Sequence, residues 1–165
     1  KAYLYFVRFT NGNVIWCAEL KDNLKEIKEE TLTQCIEAVE PWEMVFGKVA
    51  EGPSILKRDG LYYLLYSAND FRSQDYAVGY ATSDSPFGPW KKNSKNPLLH
   101  RVDELVGTGH GAPFADKDGN LRYIFHAHKS QTEVNQRNSY IVDMSLSGKD
   151  QVSIGGGLIR PAVVK

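Results

Sequence analysis

Glu51 and His110 are the pair of side chains whose types and spacing invite chemistry. A carboxylate and an imidazole are the groups most used to move protons at neutral pH. They stand 59 residues apart, at positions 51 and 110, and each precedes a short apolar stretch, Ile55-Leu56 and Pro113-Phe114-Ala115. Taken singly, each has a plain reading: a solvated loop charge for Glu51, a turn histidine satisfied by backbone for His110. Their spacing lifts the pair above that reading, because 59 residues is also the period of a repeat in the chain.

The repeat is carried by Asp-Gly turns followed by aromatic runs. Asp59-Gly60 leads into Leu61-Tyr62-Tyr63-Leu64-Leu65-Tyr66, and Asp118-Gly119 leads into Leu121-Arg122-Tyr123-Ile124-Phe125. Asp-Gly supplies the positive φ of a tight hairpin. The aromatic runs are apolar without alternation, which suits strands buried on both faces. A further apolar strand follows each, at Tyr76–Ala81 and Ser139–Met144. Tyr3-Leu4-Tyr5-Phe6-Val7 is a third copy, since Tyr3 precedes Tyr62 by the same 59 residues, but no opening strand or Asp-Gly turn stands before it.

All-strand repeats of this length read as blades of a β-propeller. The expected fold is therefore all-β: a partial propeller of about three four-stranded antiparallel blades. Residues 1–46 form an incomplete blade, 47–106 a blade, and 107–165 a blade plus tail. Inner strands of a propeller line a central axis, so phase-matched Glu51 and His110 should face one cavity. Three blades do not close a ring, and open blade faces invite self-association.

Residues 2–9 and 13–20 read as a hairpin turning at Asn11-Gly12. Between 21 and 40 the Lys/Glu mixture has some helical spacing (Leu20, Leu24, Ile27), but a polar turn followed by an outer strand around Thr31–Ile36 is the preferred reading. Ser83 to Trp90 is a turn-rich link to a short outer strand, and 93–109 an irregular connection. The tail from Leu158 to Lys165 is apolar enough to lie against a neighbouring surface.

Twenty basic and twenty acidic side chains give zero formal charge, which excludes the basic footprint of a nucleic-acid binder. No apolar run is long enough for a membrane span, so neither nucleic acid nor membrane is an expected partner. Two cysteines, Cys17 and Cys35, are too few for a disulfide scaffold. They read as small core residues, with a single bridge as the alternative in an oxidising compartment. Nine tyrosines suit packed β-structure and also stacking on sugar rings. His126 and His128 share a strand face and are expected to pack between blades. Asp59, Asp84, Asp116 and Asp118 belong to turns, Asp70 and Asp75 to loops.

Taken together, Glu51-Gly52-Pro53, Tyr62-Tyr63-Leu64-Leu65-Tyr66-Ser67, Tyr76-Ala77-Val78-Gly79-Tyr80-Ala81-Thr82-Ser83, Ser85-Pro86-Phe87-Gly88-Pro89-Trp90 and Gly109-His110-Gly111 resemble the glycoside hydrolases of family 43. The resemblance runs along nearly the whole chain. It implies a five-bladed propeller and an inverting arabinofuranosidase, β-xylosidase or endo-arabinanase. Inversion uses an acid and a base about 6.5–9.5 Å apart, with water between. By resemblance Glu51 is the general acid, and the parent enzyme would be secreted or periplasmic. His110 matches a central-channel histidine that contacts substrate and holds calcium or its water shell. Arg137 matches an arginine that reaches the acid. Trp42 is either a sugar platform or an interblade core residue. The expected partner is an arabinose- or xylose-containing oligo- or polysaccharide. The family's base and its tuning aspartate have no counterpart here, so the isolated chain is expected to hydrolyse little or nothing. The alternative is a non-catalytic carbohydrate-binding or scaffold propeller.

Overall fold

The aromatic runs do form the middle strands of stacked sheets. The computed structural model describes residues 1–134 and 136–162, and within them the chain forms eleven strands in three antiparallel sheets. The first sheet holds β1 (Tyr3–Phe9), β2 (Asn13–Glu19) and β3 (Thr33–Ile36). The second holds β4 (Ala50–Arg58), β5 (Leu61–Ala68), β6 (Ala77–Ser83) and β7 (Lys91–Lys92). The third holds β8 (Gly109–Ala115), β9 (Leu121–His128), β10 (Arg137–Leu146) and β11 (Val152–Ile154). Each runs as a simple meander, as propeller blades do, and the molecule is a partial β-propeller of three blades. The first sheet has three strands rather than four, because among the described residues no strand pairs with β1 on the side away from β2.

Non-alternating strands follow from the stacking. Every residue of β6, and all of β5 but Tyr62, is buried. Leu65, Val78 and Tyr80 pack against Tyr123, Phe125 and Tyr140 of the third blade. Leu64, Tyr66 and Ala81 turn to the other side and pack against Ile15 and Ile36 of the first. One blade thus feeds two cores, and successive residues of β5 alternate between them.

The two Asp-Gly turns are not alike. Asp59 (φ 50°) and Gly60 (φ 81°) are both left-handed, which makes the tight two-residue hairpin. Of the Asp118-Gly119 pair only Gly119 is left-handed (φ 81°). The Asp116 carboxylate instead accepts the backbone N–H of Asp118 and Asn120 and the Nε of Arg122, at 2.9–3.0 Å, and closes a longer loop. Residues 21–40 resolve into the polar turn and strand: a single helical turn at Glu29–Thr31 precedes β3, and Ile27 pairs with Leu20 across a bridge instead of continuing a helix. In the tail, Ile159 pairs with Ile141 through two backbone hydrogen bonds of 3.0 and 2.8 Å; residues 163–165 lie outside the described residues. Cys17 and Cys35 are free thiols, Cys17 fully buried.

The link between the first two blades contains a buried charge. Pro41–Glu43 is one helical turn, and the Glu43 side chain is fully buried. Its Oε2 accepts the backbone N–H of Val39 and of Glu40 (2.8 Å each) and the Nζ of Lys92 (2.6 Å). Its Oε1 accepts the Tyr66 hydroxyl at 2.6 Å. Lys92 also donates to the carbonyl of Glu37 at 2.7 Å. Four donors satisfy a carboxylate that would otherwise be costly to bury. Trp42 lies beside it, tilted against Tyr66 with ring centroids 6.0 Å apart and its edge over Gly79, where a Cβ would come within 2.8 Å.

Candidate active site at the inner strand ends

Glu51 and His110 are aimed by the same local device. β4 carries a register shift between Glu51 and Ser54, and β8 one between Gly109 and Ala112. Such bulges re-aim side chains next to sites. Gly52 takes φ 58°, and the His110 ring lies against it, 3.3 Å from where a Cβ would stand. His110 itself is left-handed (φ 50°), a conformation that costs a non-glycine residue about 1–2 kcal/mol. The Ser67 hydroxyl, opposite Glu51 in the β4–β5 pairing, accepts the His110 N–H at 2.7 Å and holds that turn. A Cβ on Gly109 would lie 2.3 Å from the Tyr76 ring, so only glycine leaves room for that tyrosine.

Tyr76 joins the pair. Its hydroxyl donates to Glu51 Oε1 at 2.7 Å and lies 3.1 Å from His110 Nδ1. Asn13, at the start of β2, donates its side-chain N–H to Glu51 Oε2 at 3.1 Å. His110 Nδ1 is 3.7 Å from Glu51 Oε1. Burial pushes the Glu51 carboxyl up, but His110, Tyr76 and Asn13 together hold it below the usual carboxylate range. None of the groups that shift it is another carboxylate. Burial, then the Glu51 charge, pushes the Tyr76 phenol far up, so it stays a protonated donor. Tyr76→Phe is expected to cost about 1.5–3 kcal/mol, the worth of a hydrogen bond to a charged group, and to move the Glu51 carboxyl upward. Denaturant titration and carbonyl-13C pH titration check this; an unmoved Glu51 would contradict the bonding described.

Arg137 opens β10, paired with His128, and its guanidinium lies 4.6 Å over the Phe71 ring and 3.1 Å from His126 Nε2. His126 in turn stacks on Tyr76 at 5.5 Å and on His110 at 6.2 Å between centroids. His110, His126, Gln136 and Arg137 line a cleft of about 540 Å³. A second, of about 430 Å³, runs between Gly52–Ser54 and Gly111–Ala112 with His110 and His126 again in its wall. The structure therefore brings Glu51, His110 and Arg137 to one end of the blades. Trp42 stands apart: it is half-buried, packs against the core between the first two blades and lines neither cleft.

Three residues at the site escaped sequence reasoning. Asn13 opens β2 and Tyr76 stands just before β6, in stretches that read as packing, and only their contacts reveal them. His126 was expected to pack between blades with His128. His128 does, buried under Gly107 with Nε2 2.8 Å from the Phe71 carbonyl. His126 packs between blades too, stacked on Tyr76 of the second, and also walls the cleft.

Burial, then Arg137, lowers the His126 imidazole from 6.5 to about 4, so it is neutral at pH 7. Between pH 6.5 and 4 the unfolded chain takes a proton that the folded chain refuses, so stability should fall across that window and level off below it. Discounted for partial exposure, the loss is about 1–2 kcal/mol. Urea midpoints of wild type and His126→Gln between pH 7 and 4 measure it; parallel curves would refute it.

As for coordination, the described residues contain no group of three or more His, Cys, Asp or Glu side chains that could hold a metal ion. His110 is one nitrogen donor with Nδ1 engaged by Tyr76, whereas calcium takes about six to eight oxygens. Direct ligation of calcium by this set does not fit.

Comparison with known proteins matches this geometry to one family. The family described as Glycosyl hydrolases family 43 matches residues 1–149. A crystal structure of an endo-1,4-beta-xylanase from Bacteroides thetaiotaomicron is 59% identical with a TM-score of 0.97, over 99% of this chain and 57% of that one. A thermostable family-43 glycoside hydrolase is 30% identical with a TM-score of 0.86, over 98% and 55%. Among curated relatives, a beta-D-galactofuranosidase of Aspergillus niger is 28% identical over 75% of this chain and 33% of its own length. An extracellular exo-alpha-(1->5)-L-arabinofuranosidase of Streptomyces chartreusis is 35% identical over 52% and 28%. The chain spans about a third of these curated relatives and a little over half of the two solved structures.

Proposed function

Since the chain belongs to glycoside hydrolase family 43, we propose that it carries the general-acid half of an inverting glycosidase site, with Glu51 as the acid. The parent enzyme would cleave α-L-arabinofuranosyl or β-xylosyl linkages of plant polysaccharide. The observation that carries this is Glu51 itself: a carboxylate with one-fifth of its side chain exposed (18%), cradled by Asn13, Tyr76 and His110, the last of which lines both clefts. His110 and Arg137 bind and orient the sugar from the cleft wall. The relatives named for xylan, arabinofuranosyl and galactofuranosyl linkages support a furanose or pentose glycan as substrate.

A general acid must be protonated before it can give its proton away. Here Glu51 is held ionised, because the groups around it are hydrogen-bond donors. A second carboxylate brought near would repel that charge and raise the pKa. None figures among the groups acting on Glu51, so the chain by itself is expected to bind sugar without cleaving it. That same observation favours the second reading, a carbohydrate-binding propeller.

A hydrated calcium ion touching His110 through water belongs to the proposal, as does secretion, which the extracellular Streptomyces relative supports. Self-association through open blade faces is also proposed; Phe9 (85% exposed) and Leu4 (42%) on the first blade and Ile159 (46%) on the last carry it. The test is hydrolysis of nitrophenyl arabinofuranoside, nitrophenyl xyloside and linear arabinan by this chain, with solution mass and an EDTA arm. The expected result is no turnover, an oligomeric mass and sugar binding weakened by EDTA. Robust turnover would contradict the assignment of Glu51 as an acid without a base.

A further inference from the structure

The His126 ring occupies a position that nothing above uses. It lies flat between two groups of different purpose: the Tyr76 ring that supports Glu51, stacked at 5.5 Å and 15°, and the Arg137 guanidinium, 3.1 Å from Nε2. A guanidinium has no acceptor, so the bond runs from Arg137 Nη1–H to a bare Nε2 lone pair. The ring proton must then sit on Nδ1. That atom is buried and has no hydrogen-bond partner among the described residues. A histidine that gives up a partner at Nδ1 in order to keep Nε2 unprotonated is placed for the arginine. The arginine is held on its other face by Phe71, 4.6 Å below the guanidinium carbon. No described acidic side chain pairs with it within 4 Å, so its remaining N–H groups are left for the cleft that it lines with His110.

We propose that His126 is a positioning residue: as the neutral Nδ1–H tautomer it clamps Arg137 over Phe71 and directs the guanidinium into the cleft beside His110. Through Tyr76 the same ring ties the arginine's position to that of Glu51, so the donor for sugar oxygens and the acid stand on one stacked column. The consequence for sugar binding rests on the carbohydrate reading of the cleft; the tautomer and the clamp do not.

Long-range 1H–15N NMR of the imidazole-labelled chain at pH 7 reads the tautomer directly. His126 should show protonated Nδ1 and unprotonated Nε2, and the Arg137 side-chain N–H signals should be resolved. His126→Phe keeps the stack and removes the acceptor, so those Arg137 signals should broaden or vanish while amide signals of the blades stay in place. An Nε2–H tautomer in wild type overturns the proposal whether or not any variant folds, and so do unchanged Arg137 signals in a folded His126→Phe. Calorimetry with xylotriose and arabinotriose supplies the second arm. His126→Phe and Arg137→Ala should each weaken binding about five- to tenfold, and the double variant no more than Arg137→Ala. Additive losses would mean that His126 does not act through Arg137. Absence of binding by wild type overturns the carbohydrate reading, and the tautomer and Arg137 signals then decide the positioning role alone.

Discussion

Glu51→Gln, in a protein where this chain is joined to the remaining blades of its propeller, is expected to cut hydrolysis by about 10²–10⁴-fold, the usual worth of one general acid. Sugar affinity should change little. Glutamine keeps the shape of the side chain, and its carbonyl oxygen can still accept from Tyr76 or Asn13, which now hold Oε1 and Oε2 at 2.7 and 3.1 Å. What it loses is the proton. Substrates with nitrophenol leaving groups need less protonation, so they should suffer less than arabinan or xylan. That split separates an acid from a residue that merely packs. Equal losses on both substrate types, with weaker binding, would assign Glu51 to substrate contact instead. The lowered carboxyl of the chain by itself adds a direction: restoring neighbouring carboxylates should move Glu51 upward.

Glu43→Ala should be the most damaging single change to stability. It strands the Lys92 ammonium, whose side chain is 16% exposed, and frees the Tyr66 hydroxyl in a fully buried position. Two backbone N–H groups, of Val39 and Glu40, lose their acceptor at the same time. Breaking a buried pair by removing one partner costs about 3–5 kcal/mol. Replacing both partners, Glu43→Met with Lys92→Met, should recover part of the loss, because no ammonium is then left buried. Urea titration of the two variants checks both statements. A loss under about 1 kcal/mol for Glu43→Ala would place the pair in the class of solvent-screened surface bridges.

The blades were legible because the central blade's middle strands are buried on both faces and advertise it as an unbroken apolar run. Asp-Gly marked one hairpin correctly. It marked the other hairpin too, but not its loop length, which Asp116 sets through side-chain bonds to the loop backbone that a dipeptide signal cannot report. Glu51 and His110 could be placed together from their shared phase alone. Their supports could not. Tyr76 and Asn13 stand 25 and 38 residues away in sequence, and each looks like ordinary sheet sequence until the bulges turn Glu51 and His110 toward them. Glu43 carried no signal either, since its partners Tyr66 and Lys92 stand 23 and 49 residues on. Trp42 shows the converse: a tryptophan just ahead of the acid loop reads equally as a sugar platform or an interblade residue, and the slot that Gly79 leaves beside Tyr66 is visible only in the fold.

The measurement that reaches the central claim most directly is a sugar titration of the 15N-labelled chain with xylotriose and with arabinotriose. Shifts centred on Tyr76, His110, His126 and Arg137, around the cleft of about 540 Å³, are expected, with one of the two sugars preferred. The core between the first two blades, including the Trp42 indole, should stay unmoved. Shifts centred on Trp42, or none at all with either sugar, would contradict the reading of this cleft as a carbohydrate site.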